Sequence, residues 1–182
     1  YCHCEAEKGD ILEEESTTTL HQRLIVIQSG ANLGFAEGNN VGIRYALASR
    51  AGFEYICLLN NDTIVEPDFL THLVQCAEED HEIGIVGGKV LFYDDPSRIW
   101  YGGGYVSLWG RGSGYVSEYC GRKNSECPQY PRSVTFVTGC LMLVRRNVFN
   151  ECGLLDPYMF FGGEDADFCL RALRKGFKIK YE

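Results

Sequence analysis

The run Tyr55-Ile56-Cys57-Leu58-Leu59 is apolar without alternation and is followed at once by Asn60-Asn61-Asp62-Thr63. It is too short for a helix and lacks the polar alternation of a half-exposed strand, so it reads as a strand covered on both faces of a parallel sheet. Asn60, Asn61 and Asp62 then emerge at its C-terminal edge, where open α/β sheets bind ligands. A carboxylate and two amides there suit a hard cation and the phosphates it accompanies. The same residues also suit a plain strand-to-helix turn.

The chain has 182 residues, enough for one domain with one substantial core. Its formal net charge of -8 argues against tracking a nucleic-acid backbone, which requires clustered Lys and Arg. Acidity does not forbid a phosphorylated ligand when a divalent cation accompanies it. No apolar run approaches the roughly 20 residues of a membrane span, and the first residues do not resemble a signal peptide, so the expectation is a cytoplasmic protein. The nine cysteines are odd in number, and Cys57, Cys76, Cys140 and Cys169 lie in apolar segments, where free thiols act as small hydrophobes. Cys2-His3-Cys4 and the pair Cys120, Cys127 lack the spacing of common zinc sites. The expectation is reduced, structural thiols.

In chain order, residues 1–22 read as an acidic connecting segment or edge element, and Leu24–Ile27 as a buried strand. A helix is expected over 36–50, with Val41, Tyr45 and Ala48 on its face and Gly52 beyond its end. Pro67 is expected to open a second helix that buries Phe69, Leu70, Leu73, Val74 and Ala77. This strand-helix-strand-helix order predicts parallel strands with right-handed crossovers. Short strands follow at 83–86 and 90–93. Residues 98–133 form a Gly- and aromatic-rich antiparallel insertion with strands at 98–101 and 115–117, the glycines 102–104 reading as a hairpin turn. A strand at 134–137, a short helix over 145–152 closed by Gly153, a final helix from Glu164 to Gly176 and a strand at 177–181 complete the chain.

Glu164, Asp165 and Asp167 crowd the start of that final helix. At 3.6 residues per turn, Glu164 and Asp167 share a face and Asp165 points elsewhere. The cluster suits the helix dipole and needs no further role. Alternatively, Asp165 faces a cleft as a general base, with Gly162-Gly163 admitting a substrate against Phe160 or Phe161. The dipole lowers its proton affinity and the flanking carboxylates raise it.

The segments Asn32-Leu33-Gly34-Phe35-Ala36-Glu37-Gly38-Asn39-Asn40-Val41-Gly42, Leu58-Leu59-Asn60-Asn61-Asp62-Thr63, Val137-Thr138-Gly139-Cys140-Leu141-Met142 and Phe161-Gly162-Gly163-Glu164-Asp165-Ala166-Asp167-Phe168-Cys169-Leu170-Arg171 follow one another as in the family 2 glycosyltransferases. From Arg23 to the end, the chain resembles that family, and within it the rhamnosyltransferase-like branch. The resemblance implies an α/β GT-A fold, a three-layer α/β/α architecture with a mostly parallel central sheet and a small antiparallel portion. It also implies inverting transfer of a sugar from a nucleoside diphosphate to a hydroxyl of a saccharide or lipid-linked acceptor.

By the same resemblance, Asp62 would hold Mg²⁺ or Mn²⁺, with Asn60 standing where many members carry Asp. Asp165 would be the catalytic base and Glu164 its neighbour for acceptor orientation. Asn32, Gly34, Gly38, Asn39, Asn60 and Asn61 would lie near the donor, and Thr138, Gly139, Phe161 and Gly163 near the acceptor. A lipid-linked acceptor would imply loose attachment to the inner face of the cell membrane.

Before Arg23 nothing matches the family's strand-helix-strand unit that grips the nucleotide, and a histidine expected after the last strand would fall beyond Glu182. The chain therefore reads as an internal piece of a longer transferase, inactive or nearly so alone. The alternatives are a catalytically dead sugar- or nucleotide-binding module, and a sugar nucleotidyltransferase, which would need a basic glycine-rich loop after its first strand.

Overall fold

Along Leu141–Arg145 the side chains alternate between two cores: Leu141 and Leu143 pack into one, Met142 and Val144 into the other. That period of two places the strand in the middle layer of an α/β/α stack. The computed structural model describes residues 2–5, 25–49, 52–107, 114–128 and 131–182. Most of the acidic segment and the centre of the 98–133 insertion therefore lie outside the described residues.

The elements in chain order are β1 (Cys2–Glu5), β2 (Ile25–Gln28), α1 (Gly34–Ala48), β3 (Tyr55–Leu59), α2 (Phe69–Glu78), β4 (Ile83–Gly87), β5 (Val90–Leu91), β6 (Ile99–Tyr101), β7 (Gly104–Ser107), β8 (Gly114–Ser117), β9 (Arg132–Ser133), β10 (Leu141–Arg145), α3 (Arg146–Cys152), α4 (Glu164–Arg174) and β11 (Lys178–Tyr181). A single turn of 3₁₀-helix lies at Asn124–Glu126. The central sheet has five strands in the order β3-β10-β4-β11-β9.

The α/β class stands, but the strand pairing differs from a mostly parallel sheet. β3, β4 and β11 share one direction, yet β10 lies between β3 and β4 and runs against both. β9 is likewise antiparallel to β11. An apolar run specifies that a strand is buried and leaves its direction open, so the reversal is invisible in the residues. It also determines the site: Leu59 at the end of β3 pairs with Leu141 at the start of β10. Strand β2 pairs in parallel with β1 rather than joining this sheet.

Helix α1 buries Ala36, Asn40 and Ile43, with Leu47 packed alongside, instead of Val41, Tyr45 and Ala48. The true stripe contains a polar residue whose amide is satisfied in the core. Asn40 Nδ2 donates to the Leu155 carbonyl at 2.8 Å, and its Oδ1 accepts the Leu155 N–H at 3.0 Å. Helix α2 begins at Phe69, after Pro67, and leaves Leu70 exposed while Leu73, Cys76 and Ala77 are buried. Helices α3 and α4 match their expected spans closely, ending before Gly153 and Gly176, both with positive φ.

In the insertion, β6 pairs with β5 and β7 with β8, all antiparallel. The glycines 102–104 are therefore the step between two ribbons rather than a hairpin turn. Arg132 fastens this step to the sheet. It pairs with Glu118, donates to the Gly102 carbonyl, and lies 5.1 Å from the Tyr119 ring centroid and 4.9 Å from that of Tyr181. No strand forms at the expected 134–137: the strand lies just before it, β9 at 132–133, and Phe136 makes an isolated bridge to Gly104.

Candidate active site

Gly162 and Gly163 both have φ near +90°, at 91° and 92°, a conformation that side chains rarely adopt. They turn the chain into α4 and set Asp165 in its first turn. Asp165 Oδ1 accepts the Ala166 N–H at 2.8 Å and Oδ2 accepts the Gly139 N–H at 3.0 Å. Burial holds the Asp165 carboxyl above its usual range, against the lowering effect of these backbone donors. Glu164 beside it is only 4 % exposed, and its Oε2 has no hydrogen-bond partner among the described residues. Burial, then the Asp165 charge, raises its pKa as well.

The helical wheel puts Glu164 and Asp167 on one face, yet it is Glu164 and Asp165 that meet in one cavity. Glu164 and Asp165 line one cavity, whereas Asp167 accepts from Arg171 Nε at 2.7 Å and lines a different one. Phe161, Gly162 and Gly163, which precede α4, line the same cavity as these two successive residues, and a helical wheel does not include them.

The opposite station comes from β3. Asn60 N–H donates to the Cys140 carbonyl at 3.0 Å, and Thr63 Oγ1 donates to the Asn60 carbonyl at 2.7 Å, fixing the turn that carries Asn61 and Asp62. Because β10 is reversed, its leading residues Thr138, Gly139 and Cys140 meet this turn on one side and Asp165 on the other. Asp62 is exposed, and its charge reaches the Cys140 thiol, whose pKa is raised first by burial and then by Asp62.

A cavity of about 400 Å³ joins the two stations, lined among others by Asn60, Thr138, Gly139, Cys140, Phe161, Gly163, Glu164 and Asp165. Asn61 and Asp62 are not in its lining, and neither are Asn32, Gly34, Gly38 and Asn39. Three of these last four hold the start of α1, which carries Phe35 into the lining. Asn32 Oδ1 accepts the Gly34 N–H at 3.0 Å, Phe35 N–H donates to the Phe160 carbonyl at 2.8 Å, and Asn39 Nδ2 donates to the Phe35 carbonyl at 2.8 Å. A side chain on Gly34 would collide with Phe160, whereas Gly38 faces open space. Gly139 must be bare because a Cβ there would stand 2.8 Å from the Phe35 ring.

The motifs did not single out Trp100, Tyr101, Ser117, Cys120 and Phe136, which complete the lining. They come from 98–136, where no spacing signals a site. As for metal ligands, no cluster of three or more His, Cys, Asp or Glu among the described residues is arranged to hold an ion. The donor set on the β3 turn is one carboxylate, Asp62, and the Asn60 and Asn61 amides. Such hard oxygens fit Mg²⁺ or Mn²⁺ when phosphates and water complete the shell. Three of the thiols are poor competitors for such an ion: burial pushes Cys57 and Cys76 up to about 11 and Cys169 up to about 12.

The α/β architecture is structurally similar to that of GT-A glycosyltransferases. Residues 12–182 match the family described as glycosyltransferase like family 2, and the chain belongs to that family. It is 26 % identical over 175 residues to the dTDP-rhamnosyl transferase RfbF of Shigella flexneri, covering 93 % of this chain and 55 % of that protein. It is also 26 % identical over 163 residues to the low-salt glycan biosynthesis hexosyltransferase Agl10 of Haloferax volcanii, covering 87 % of this chain and 49 % of the relative. The chain thus spans about half the length of these curated relatives. Among solved structures it resembles GalNAc-T7 crystallised with UDP, GalNAc and Mn²⁺, with a TM-score of 0.62 and 19 % identity over 86 % of this chain and 30 % of that one.

Proposed function

We propose that the protein is an inverting glycosyltransferase that moves a sugar from a nucleoside diphosphate to a hydroxyl of a saccharide or lipid-linked acceptor. The observation that carries this reading is Asp165: a half-buried carboxylate of raised proton affinity, fixed by two backbone donors, in a cavity shared with Asn60 of the β3 turn. A sugar hydroxyl is a weak nucleophile at neutral pH, so a base must take its proton as it attacks. The proton goes to Asp165, the acceptor oxygen bonds to the anomeric carbon, and the bond to the diphosphate breaks with its electrons leaving on phosphate oxygen. Attack from the face away from the leaving group inverts the centre.

Glu164 Oε2, without a partner, accepts a hydrogen bond from a second acceptor hydroxyl and orients the first. Asp62, with Asn60 and Asn61, would hold Mg²⁺ or Mn²⁺, which supplies positive charge to the departing diphosphate. The names of the relatives, a dTDP-rhamnosyl transferase and a hexosyltransferase, support a nucleotide-linked hexose donor. No helix among the described residues is long and apolar enough to cross a membrane. The reading places the site in the cytoplasm, at the inner face of the cell membrane when the acceptor is lipid-linked.

The test is transfer by the full-length protein from a panel of nucleoside diphosphate sugars, with the product's anomeric configuration read by NMR. Inversion is expected, with activity lost in EDTA and restored by Mn²⁺ or Mg²⁺. Asp62→Asn should raise the half-saturating metal concentration on the order of tenfold, and Asn60→Asp should lower it. Retention of configuration, or activity indifferent to EDTA, counts against the inverting or the metal-assisted part respectively.

A further inference from the structure

The cavity contains more than the transfer chemistry uses. Ser117 Oγ is buried in its wall and has no hydrogen-bond partner among the described residues, the same state as Glu164 Oε2. Trp100 lines the same cavity and is 42 % exposed, while its strand neighbours Ile99 and Tyr101 are buried at 0 % and 2 %. Burying a hydroxyl without a partner is unfavourable, and in a cavity wall a ligand can meet that need. An indole left in solvent at the same cavity supplies a flat apolar surface.

The charge of the lining narrows the ligand. Its residues include the carboxylates Glu164 and Asp165 but neither Lys nor Arg. A phosphate would meet negative charge without a counter-ion there. A neutral ring with hydroxyls at its edge and C–H groups on its face matches every feature: hydroxyls for Ser117 Oγ and Glu164 Oε2, the face for the indole.

We propose that Trp100 and Ser117 recognise the acceptor, the indole stacking on the face of a neutral pyranose and Ser117 Oγ bonding one of its ring hydroxyls, so that the insertion sets acceptor specificity. This rests on the transferase reading. Trp100 and Ser117 are specificity-determining residues that take no part in bond making. A site built to bond a hydroxyl rejects the analogue that lacks it far more strongly than an apolar pocket rejects an extra group. The Ser117 contact therefore discriminates between sugars differing at one carbon, and the Trp100 contact admits pyranoses generally.

The experiment uses the full-length protein, octyl glycosides of glucose, galactose, N-acetylglucosamine and rhamnose as acceptor probes, and nucleoside diphosphate release from UDP-glucose, dTDP-rhamnose and GDP-mannose as readout. Trp100→Ala and Ser117→Ala are each expected to raise the KM for the best probe roughly tenfold or more, with the donor KM moving far less. Trp100→Phe should recover most of the loss. Ser117→Ala should also erase the preference for that probe over its deoxy analogue at the bonded position. Unchanged acceptor KM in both alanine variants, or equal rises in donor and acceptor KM that Trp100→Phe does not repair, overturns the proposal while leaving the transferase reading in place. Wild-type protein that neither binds nor consumes any of the donors overturns the transferase reading itself, and the acceptor role with it.

Discussion

The backbone N–H of Gly139 donates to Asp165 Oδ2 at 3.0 Å, so a residue two positions ahead of β10 aims the carboxylate at the head of α4. The contact exists because β10 runs against β3, which brings 138–140 to the sheet edge where Asn60 lies. Phe35 fills the space a side chain on Gly139 would need. Gly139→Ala should push the ring or the loop aside and move Asp165. Transfer is expected to fall up to about 100-fold, the cost of roughly 1 Å misplacement of a reacting group. Phe35→Leu in the same chain removes the obstructing ring and should restore part of the loss. If the double variant is no better than the single one, the packing of Phe35 on Gly139 is not what holds the carboxylate in place.

Burial raises the Asp165 pKa, and this has a definite sign for stability. A carboxyl whose folded pKa lies above its unfolded value contributes stability while protonated, and that contribution is lost as pH rises through the folded pKa. Asn at this position does not titrate. The melting temperature of Asp165→Asn minus that of wild type should therefore climb as pH rises from below the ordinary Asp range, about 4, toward neutrality. The acid limb of the transfer rate should likewise lie above that range. A difference that stays flat or falls with pH would show that the fold does not raise the proton affinity of this carboxyl.

Much of this arrangement was legible in the sequence, and the failures share a cause. The strand Tyr55–Leu59, the short α3, and α4 starting at Glu164 follow from local pattern and from glycines at their ends. The direction of β10 depends on where the chain returns after its excursion through the insertion, which no local period encodes. Asn40 was unreadable as a core residue because its amide is satisfied by Leu155, far away in sequence. Trp100 and Ser117 become site residues only because a separate segment folds over the motif loops. The roles expected of Asp62 and Asp165, metal ligand and base of one transfer, require them to face one hollow. Asn60 and Asp165 line the cavity, and Asp62 stands outside its lining on the Asn60 turn.

Arg132 is the fastening of that segment, placed between two tyrosine rings and bonded to Glu118 and to the Gly102 carbonyl. Lysine cannot reproduce both the planar stacking and the paired donors. Arg132→Lys should lower stability by about 1.5–3 kcal/mol, the range for hydrogen bonds to charged groups, as measured by urea unfolding. If the insertion is an independent ornament, the acceptor KM will not change. If it walls the cavity, that KM rises along with the loss of stability.

The central claim is that Asp165 takes the proton of an acceptor hydroxyl. The most direct test is nucleoside diphosphate release by full-length wild type and Asp165→Asn at saturating donor and acceptor, with donor affinity measured in parallel. Turnover is expected to fall roughly 10²- to 10⁴-fold with donor Kd nearly unchanged. Turnover by the variant close to the wild-type rate would contradict the claim.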